Sequence, residues 1–278
     1  MSFPQTRHTL IQRIAEVGDG RDWSEFLADY WGPVCRFARR AGSLTPDDAE
    51  DAAAQTFEVL VRNRLLAHWV LKRSAKLRTL LCAVVRNVLS NRRRVEAGRA
   101  RLLRDHDGRL DDRGAFPLVT SLDAPDDQVD AFHAAWVEEL LQQAVERLLA
   151  DYHREGKGDA FRVLYGRLCD GMTMAEIAVA LGVTTSQAEN AFKHARKSLG
   201  RLLEELVRDH VGRYCPSEAV EGEFTAEWGQ LGEYLKKHGG LEEAVRRAQE
   251  GCDPALQKKH RTKAMNSALN RLAEALRL

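Results

Sequence analysis

The sequence predicts an all-α protein: an N-terminal helical bundle and a C-terminal helix-turn-helix domain joined by a flexible linker, with a helical tail. Three observations carry this. Apolar residues recur at spacings of three and four through most of the chain, the period of a helix with one buried side. Alternating runs of β-branched residues, which mark strands, are missing. Glycine, proline and aspartate gather between the periodic stretches. A length of 278 residues suits about two domains at ~150 residues each, and 44% hydrophobic residues can fill their cores.

Composition narrows the function classes. Lys and Arg number 42 against 41 Asp and Glu, a net charge of +1. No stretch approaches the ~18 uncharged apolar residues of a membrane span, and residues 1–14 hold no secretory apolar block, so a cytoplasmic location is expected. Cys35, Cys82, Cys169, Cys215 and Cys252 are scattered, with no C-x-x-C and no histidine at ligand spacing. Reduced thiols are expected, with neither zinc site nor disulfide framework. Phosphate loops, dinucleotide fingerprints, nucleophile elbows and H-E-x-x-H do not occur. The expectation is a protein without cofactor, metal or catalytic residues.

Taken in order, Trp23, Phe26, Leu27, Tyr30 and Val34 form a helical stripe. Gly42 and Pro46 mark the next boundary, where Thr45 can cap and Pro46 suits the first helical position. Ala53, Phe57, Leu60 and Val61 continue that helix, and a stronger stripe runs from Leu77 to Leu89. From Arg86 to Arg104 stand seven arginines against one acid, and from Asp105 to Asp130 eight aspartates against two arginines. The second segment, with Gly108, Gly114, Pro117 and Pro125, reads as an acidic flexible linker. Helices are expected over 132–152, 160–169, 174–181 and 186–210, and three short ones in the tail within 228–237, 241–249 and 265–276. The expected domains are 1–104, linker 105–130, 131–212 and extension 213–278.

The sharpest motif lies at 172–187. Thr173 can cap a helix with Glu176 as reciprocal partner, Ala178 is small where two helices cross, Gly182 permits a tight turn, and Thr185 or Ser186 caps a second helix. This pattern is a helix-turn-helix, whose second helix enters the major groove. A generic helical hairpin with a solvated polar side is the plainer alternative. Ala188, Phe192, Ala195, Leu199 and Leu202 face the core. Gln187, Asn190, His194, Lys197 and Arg201 lie opposite, where Gln and Asn can read adenine edges and cations can meet phosphate.

Two charged helix ends complete the set. Asn87, Asn91 and Arg94 share one side of the 77–95 helix, within a cationic end that includes Arg86 and Arg93 and attracts nucleic acid regardless of sequence. At the start of the earlier helix, Asp48, Asp51, Gln55 and Glu58 align at spacings of three, four and three as a polar ridge suited to a basic protein surface. The same acids also offset the helix dipole. A divalent-metal cluster fits poorly, because adjacent acids on a helix diverge by ~100°.

The order of these motifs over residues 8–212 resembles the extracytoplasmic-function class of bacterial RNA polymerase sigma factors. The resemblance rests on Asp48-Ala49-Glu50-Asp51, the helix from Leu81 to Arg94, the acidic linker and the helix-turn-helix. It implies that Asp48, Glu50, Asp51, Gln55, Phe57 and Glu58 bind the polymerase clamp. It implies that Arg86, Asn87, Asn91, Arg93 and Arg94 act at the minus-ten element, and Thr185, Ser186, Gln187, Asn190, Lys193, His194, Arg196 and Lys197 at minus-thirty-five. The sequence departs from the family at Ala54 and Gln55, where Gln and Glu are usual, at Leu77 and Leu80 in place of Phe and Trp, and at Asn91 in place of Asp. Glu189 and Ala191 stand where the family commonly carries cations. Implied partners are core RNA polymerase, promoter DNA and an anti-sigma or other regulatory protein. The expected activity is transcription initiation at a subset of promoters, without covalent chemistry. A stand-alone helix-turn-helix regulator and a nuclease are the competing classes. The first would need a ligand pocket and the second convergent carboxylates, and the sequence offers neither.

Overall fold

The N-terminal helices follow from the spacing of their apolar side chains. In a computed structural model, the residues described are 9–16, 18–72, 76–105, 124–249 and 254–276, and among them every regular element is helical. The first helix, α1 (Leu10–Glu16), buries Leu10, Ile11 and Ile14. Next, α2 (Gly20–Gly42) is capped by the Asp19 carboxylate, which accepts from the Asp22 N–H at 2.8 Å. It buries Trp23, Phe26, Leu27, Tyr30 and Val34, the stripe expected from the sequence. Gly42 is more than punctuation. A Cβ there would lie 3.1 Å from a Leu89 methyl and 2.8 Å from Leu44 Cγ, so glycine lets the end of α2 approach the helix carrying Leu89.

Thr45 caps α3 (Pro46–Arg62), with Pro46 at its first turn and the Asp48 N–H donating to Thr45 Oγ1 at 3.2 Å. Such a cap contributes ~1 kcal/mol. After the short α4 (Leu65–Lys72) comes α5 (Leu77–Asp105). Its first turns are buried all round: Leu80, Leu81, Cys82, Ala83, Val84 and Val85 are each at most 2% exposed. A single apolar side was expected; α5 is instead the central helix of the bundle in that stretch, with Arg78 buried in its first turn and the basic block beginning at Arg86.

The acidic segment between α5 and α6 (Asp126–Arg154) lies largely outside the described residues. Its last residues, 126–130, were expected to be flexible linker, but they form the opening turns of α6. Pro125 supplies the helix start, Asp126 and Asp127 fill the first turn, and the Cys82 thiol donates to the Gln128 carbonyl at 3.4 Å. Phe132 then packs edge-on against Phe37, ring centres 5.4 Å apart.

Further along, α7 (Gly158–Leu168), α8 (Met174–Leu181) and α9 (Thr185–Tyr214) precede a 3-10 turn, α10 (Val220–Lys237), α11 (Gly240–Gln249) and α12 (Pro254–Leu276). The three tail helices were all expected. Two compact units emerge: Leu10–Ala135 together with the chain from Lys258, and Trp136–Gln257. The division therefore falls inside α6, and the tail is not a unit of its own. Helix α10 lies along α9 and α11 against α7, so both belong to the helix-turn-helix unit, whereas α12 belongs to the N-terminal one from Lys258 on. No helix among the described residues is long and apolar enough to cross a membrane.

Candidate functional site

The helix-turn-helix is built from two successive capping boxes. At α8, Thr173 Oγ1 accepts from the Glu176 N–H at 3.2 Å while Glu176 accepts from the Thr173 N–H at 2.7 Å. The Thr173 N–H, and then the Thr173 hydroxyl, which donates to the same carboxylate at 2.8 Å, hold the Glu176 carboxyl below the ordinary carboxylate value. Gly182 ends the helix at φ 66°, a left-handed conformation that glycine adopts without strain. Thr184 then starts α9: its hydroxyl accepts from the Gln187 N–H at 3.2 Å, and Gln187 Oε1 accepts from the Thr184 N–H at 2.8 Å.

This corrects the expected cap. Thr185 and Ser186 are the first helical residues and Thr184 is the cap. The signal was present as Thr184-x-x-Gln187, a T-x-x-Q box just upstream of the two expected caps. The consequence reaches the site, because Gln187 has its carbonyl oxygen committed to the helix start and offers only its amide N–H groups outward.

Val163, Ile177, Ala178 and Ala188 form the shared core of α7, α8 and α9, with Met172, Leu181, Val183 and Phe192 packed against it. Ala178 and Ala188 are 3% and 1% exposed, so any larger side chain would push the helices apart. That packing turns Ser186, Asn190, Lys193 and Lys197 outward, at spacings of four, three and four on the exposed side of α9. Asn190 can present a bidentate amide to an adenine edge, and the lysines can meet phosphates. Two expected contacts are already engaged. His194 Nδ1 lies 3.1 Å from the hydroxyl of the buried Tyr152, and Arg196 Nε sits 3.7 Å from Glu242 of α11. Glu189 is exposed on the same flank of α9 as Arg196.

The N-terminal surfaces behave differently. On α5, Asn87, Asn91 and Arg94 do share a side; Asn87 and Asn91 are half-buried, as is Arg86, and Arg94 is exposed. Arg93 reaches back instead, its guanidinium donating to the Ala41 carbonyl at 2.9 Å. Arg92 donates to Asp48 Oδ1 at 3.1 Å and to the Asp48 carbonyl at 3.3 Å. Part of the basic block thus ties the end of α2 and the start of α3 onto α5. Side chains of Arg99, Arg101 and Arg104 lie outside the described residues.

On α3, Asp48 is held by Arg92, and Phe57 is fully buried. The Phe57 ring stacks on Trp31 at 5.9 Å and meets Phe26 edge-on. Phe57 is therefore a core residue, not a surface contact, and the stripe it shares with Leu60 was the sounder signal. Glu50 is half-buried, Asp51 and Gln55 are exposed, and Glu58 lies 3.7 Å from Arg271 of α12. Tail residues Arg271 and Glu242, each set against an expected contact, were not foreseen, because a pairing so distant in sequence leaves no local trace.

Among the described residues no group of His, Cys, Asp and Glu could hold a metal ion. Burial pushes the Cys82 and Cys169 thiols up to about 11, against reactive-thiolate chemistry at these two positions. Comparison of the chain with known protein families, with curated proteins and with solved structures finds no match.

Proposed function

We propose that this protein is a dissociable transcription initiation factor of the extracytoplasmic-function sigma type. In this reading the exposed acids of α3, led by Asp51, dock on core RNA polymerase. The Asn87, Asn91 and Arg94 side of α5 engages the minus-ten element, and α9 reads minus-thirty-five. Bases unstacked at the minus-ten element cost a few kcal/mol each to expose, offset by pocket contacts and backbone cations. Tethering two DNA-binding surfaces in one chain raises the effective concentration of the second once the first has bound.

The observation that carries the reading is the outward stripe of α9, an amide and two lysines held in register by a capped helix-turn-helix. The polymerase dock rests on the motif order alone. Mixing the protein with core polymerase and promoter fragments, followed by footprinting, tests both. Protection of two spaced elements only when polymerase is present is expected, and Asp51→Arg should abolish that protection without loss of helix content. Asp51 is the informative position because reversing Asp48 would also break its pair with Arg92.

A second reading is a stand-alone helix-turn-helix regulator. Commitment of Asp48 and Phe57 to the protein's own fold favours it, because it removes two residues from the expected dock. Protection of a single site by the protein alone, unchanged by polymerase, would decide for it.

A further inference from the structure

One buried hydroxyl reaches the outward side of α9 from another helix. Tyr152, near the end of α6, is 3% exposed, and a phenol so enclosed needs a hydrogen-bond partner. It finds one on an exposed side chain, with His194 Nδ1 3.1 Å from its oxygen. The two rings lie 26° from parallel with centres 6.4 Å apart, so the imidazole is fixed in orientation as well as in distance. His194 stands in the row Gln187, Asn190, His194 and Lys197, at spacings of three, four and three. One nitrogen of its ring is tied to a buried group, while the opposite edge lies among the residues that face a partner.

We propose that Tyr152 is a positioning residue for DNA reading: its hydroxyl donates to His194 Nδ1 and so holds Nε2–H outward as a hydrogen-bond donor. This role requires α9 to be the reading helix, as in the function proposed above. The direction of the bond follows from chemistry. A phenol is a stronger acid than a neutral imidazole N–H, and the bare imidazole nitrogen is the stronger base, so Tyr152 donates. A neutral ring carries one N–H, and an acceptor at Nδ1 leaves that N–H at Nε2. Gln187 reaches the same condition by another route. Its Oε1 accepts from the Thr184 N–H at 2.8 Å and from the Thr184 hydroxyl at 3.0 Å, so only amide N–H groups face outward. Asn190 is thus flanked by two donor-only positions, about 4.5 Å before it and about 6 Å after it along the helix axis. Those intervals are one to two base steps of ~3.4 Å. The DNA must offer acceptors there, either the guanine O6 and N7 edge or a phosphate oxygen; cytosine, whose N4 is a donor, is refused at a base contact.

The test begins without DNA, on the full-length chain carrying nitrogen-15 histidine. At about pH 8, above the ordinary histidine value near 6.5, nuclear magnetic resonance should show His194 with its proton on Nε2 and a hydrogen-bonded, bare Nδ1. His194→Gln identifies the resonances by their loss. Tyr152→Phe keeps the ring and removes the donor; it should abolish the Nδ1 hydrogen bond and raise the population protonated at Nδ1, with helix content unchanged. Binding to a library of randomised duplexes follows, with and without core polymerase. Tyr152→Phe and His194→Ala should each weaken the preferred duplex about two- to tenfold, the size of one hydrogen bond, and the double variant no further. In a His194→Gln background, where the amide supplies its own outward N–H, Tyr152→Phe should cost nothing. Lost preference at a single guanine marks a base contact, and a uniform loss across the library marks a phosphate. Unchanged His194 resonances in Tyr152→Phe, or losses from the two single variants that add, overturn the positioning role. Wild type binding no duplex in either condition sinks the reading of α9 itself. Binding that is intact and indifferent to Tyr152→Phe sinks only the role of Tyr152.

Discussion

The start of α3 with the middle of α5, and the exposed side of α9, are both dense in charge and amide, yet the fold treats them in opposite ways. At α3 and α5 much of that chemistry is turned inward: Asp48 holds Arg92, Arg93 caps the last turns of α2 through the Ala41 carbonyl, and Phe57 fills the core between Trp31 and Phe26. On α9 the capping boxes and the alanine-rich helix crossing are supplied by other residues. Ser186, Asn190, Lys193 and Lys197 are left with no intramolecular task in the described structure. Terminal amides and carbonyls of a helix need partners, and Arg93, midway along α5, is drawn to one of them, the Ala41 carbonyl at the end of α2. An exposed stripe whose members have no such partner is accordingly the better guide to an external one.

If that division holds, Phe57→Ala is the most damaging change. Its ring is fully buried among Trp31 and Phe26, and truncation leaves a cavity in the N-terminal unit, with an expected loss of ~3–5 kcal/mol. Urea unfolding should show an early transition for the Leu10–Ala135 unit. A loss below ~1 kcal/mol, with weakened partner binding instead, would return Phe57 to the surface role that the motif suggested.

Acid should separate the units as well. His133, on the N-terminal part of α6, is lowered to about 3 because burial penalises its charged form, with Arg78 and Lys76 adding repulsion. Unfolding frees it to an ordinary value near 6.5. Between those values the unfolded chain binds the extra proton, so this contribution to stability is complete above about pH 6.5 and is lost as pH falls toward 3. The limiting slope is ~1.4 kcal/mol per pH unit. In His133→Gln the pH dependence of the N-terminal transition should flatten over that window, whatever the variant's stability at pH 7. An unchanged slope would show that His133 stays accessible to protonation in the folded state.

How much of this was legible follows from the range of each interaction. The α8 boundaries were readable because each is set within about one turn: Thr173 with Glu176 at the start, and Gly182 with the Ala178 and Val179 carbonyls at the end. The cap of α9 was misplaced by one or two residues because Thr184, Thr185 and Ser186 are all good caps, and Ser186-x-x-Glu189 competes in sequence with the Thr184-x-x-Gln187 box that forms. All-round burial of α5 was hidden, since Cys82 and Ala83 add little to an apolar stripe but fill the side facing α6 and its neighbours. The pair of Arg92 with Asp48 spans 44 residues, and that of Arg271 with Glu58 is longer still. Charge patterning offered both sets of partners, and only tertiary structure joins them.

A smaller effect sharpens the comparison at its N-terminal end. The Asp48 carboxylate is about half exposed, so its pair with Arg92 is worth ~0.2–1 kcal/mol after solvent screening. A double-mutant cycle of Asp48→Asn and Arg92→Gln should recover a coupling of that size in unfolding free energy. Additive losses would mean the contact contributes nothing, and would free Asp48 for a partner.

At the other end, Lys193→Ala and Lys197→Ala should barely touch the fold, within ~0.5 kcal/mol, because each lies on the exposed side of α9. Their effect should be confined to nucleic acid: the slope of log affinity against log salt for duplex DNA should fall by about one for each lysine removed, for specific and random sequences alike. Asn190→Ala should leave that slope unchanged and instead reduce the preference for the specific site by ~1–3 kcal/mol. These two signatures cannot arise from one solvated, idle surface. If all three variants left both salt slope and sequence preference unaltered, the outward stripe of α9 would be only the wet side of a helical hairpin, and the contrast with α3 and α5 would lose its functional half.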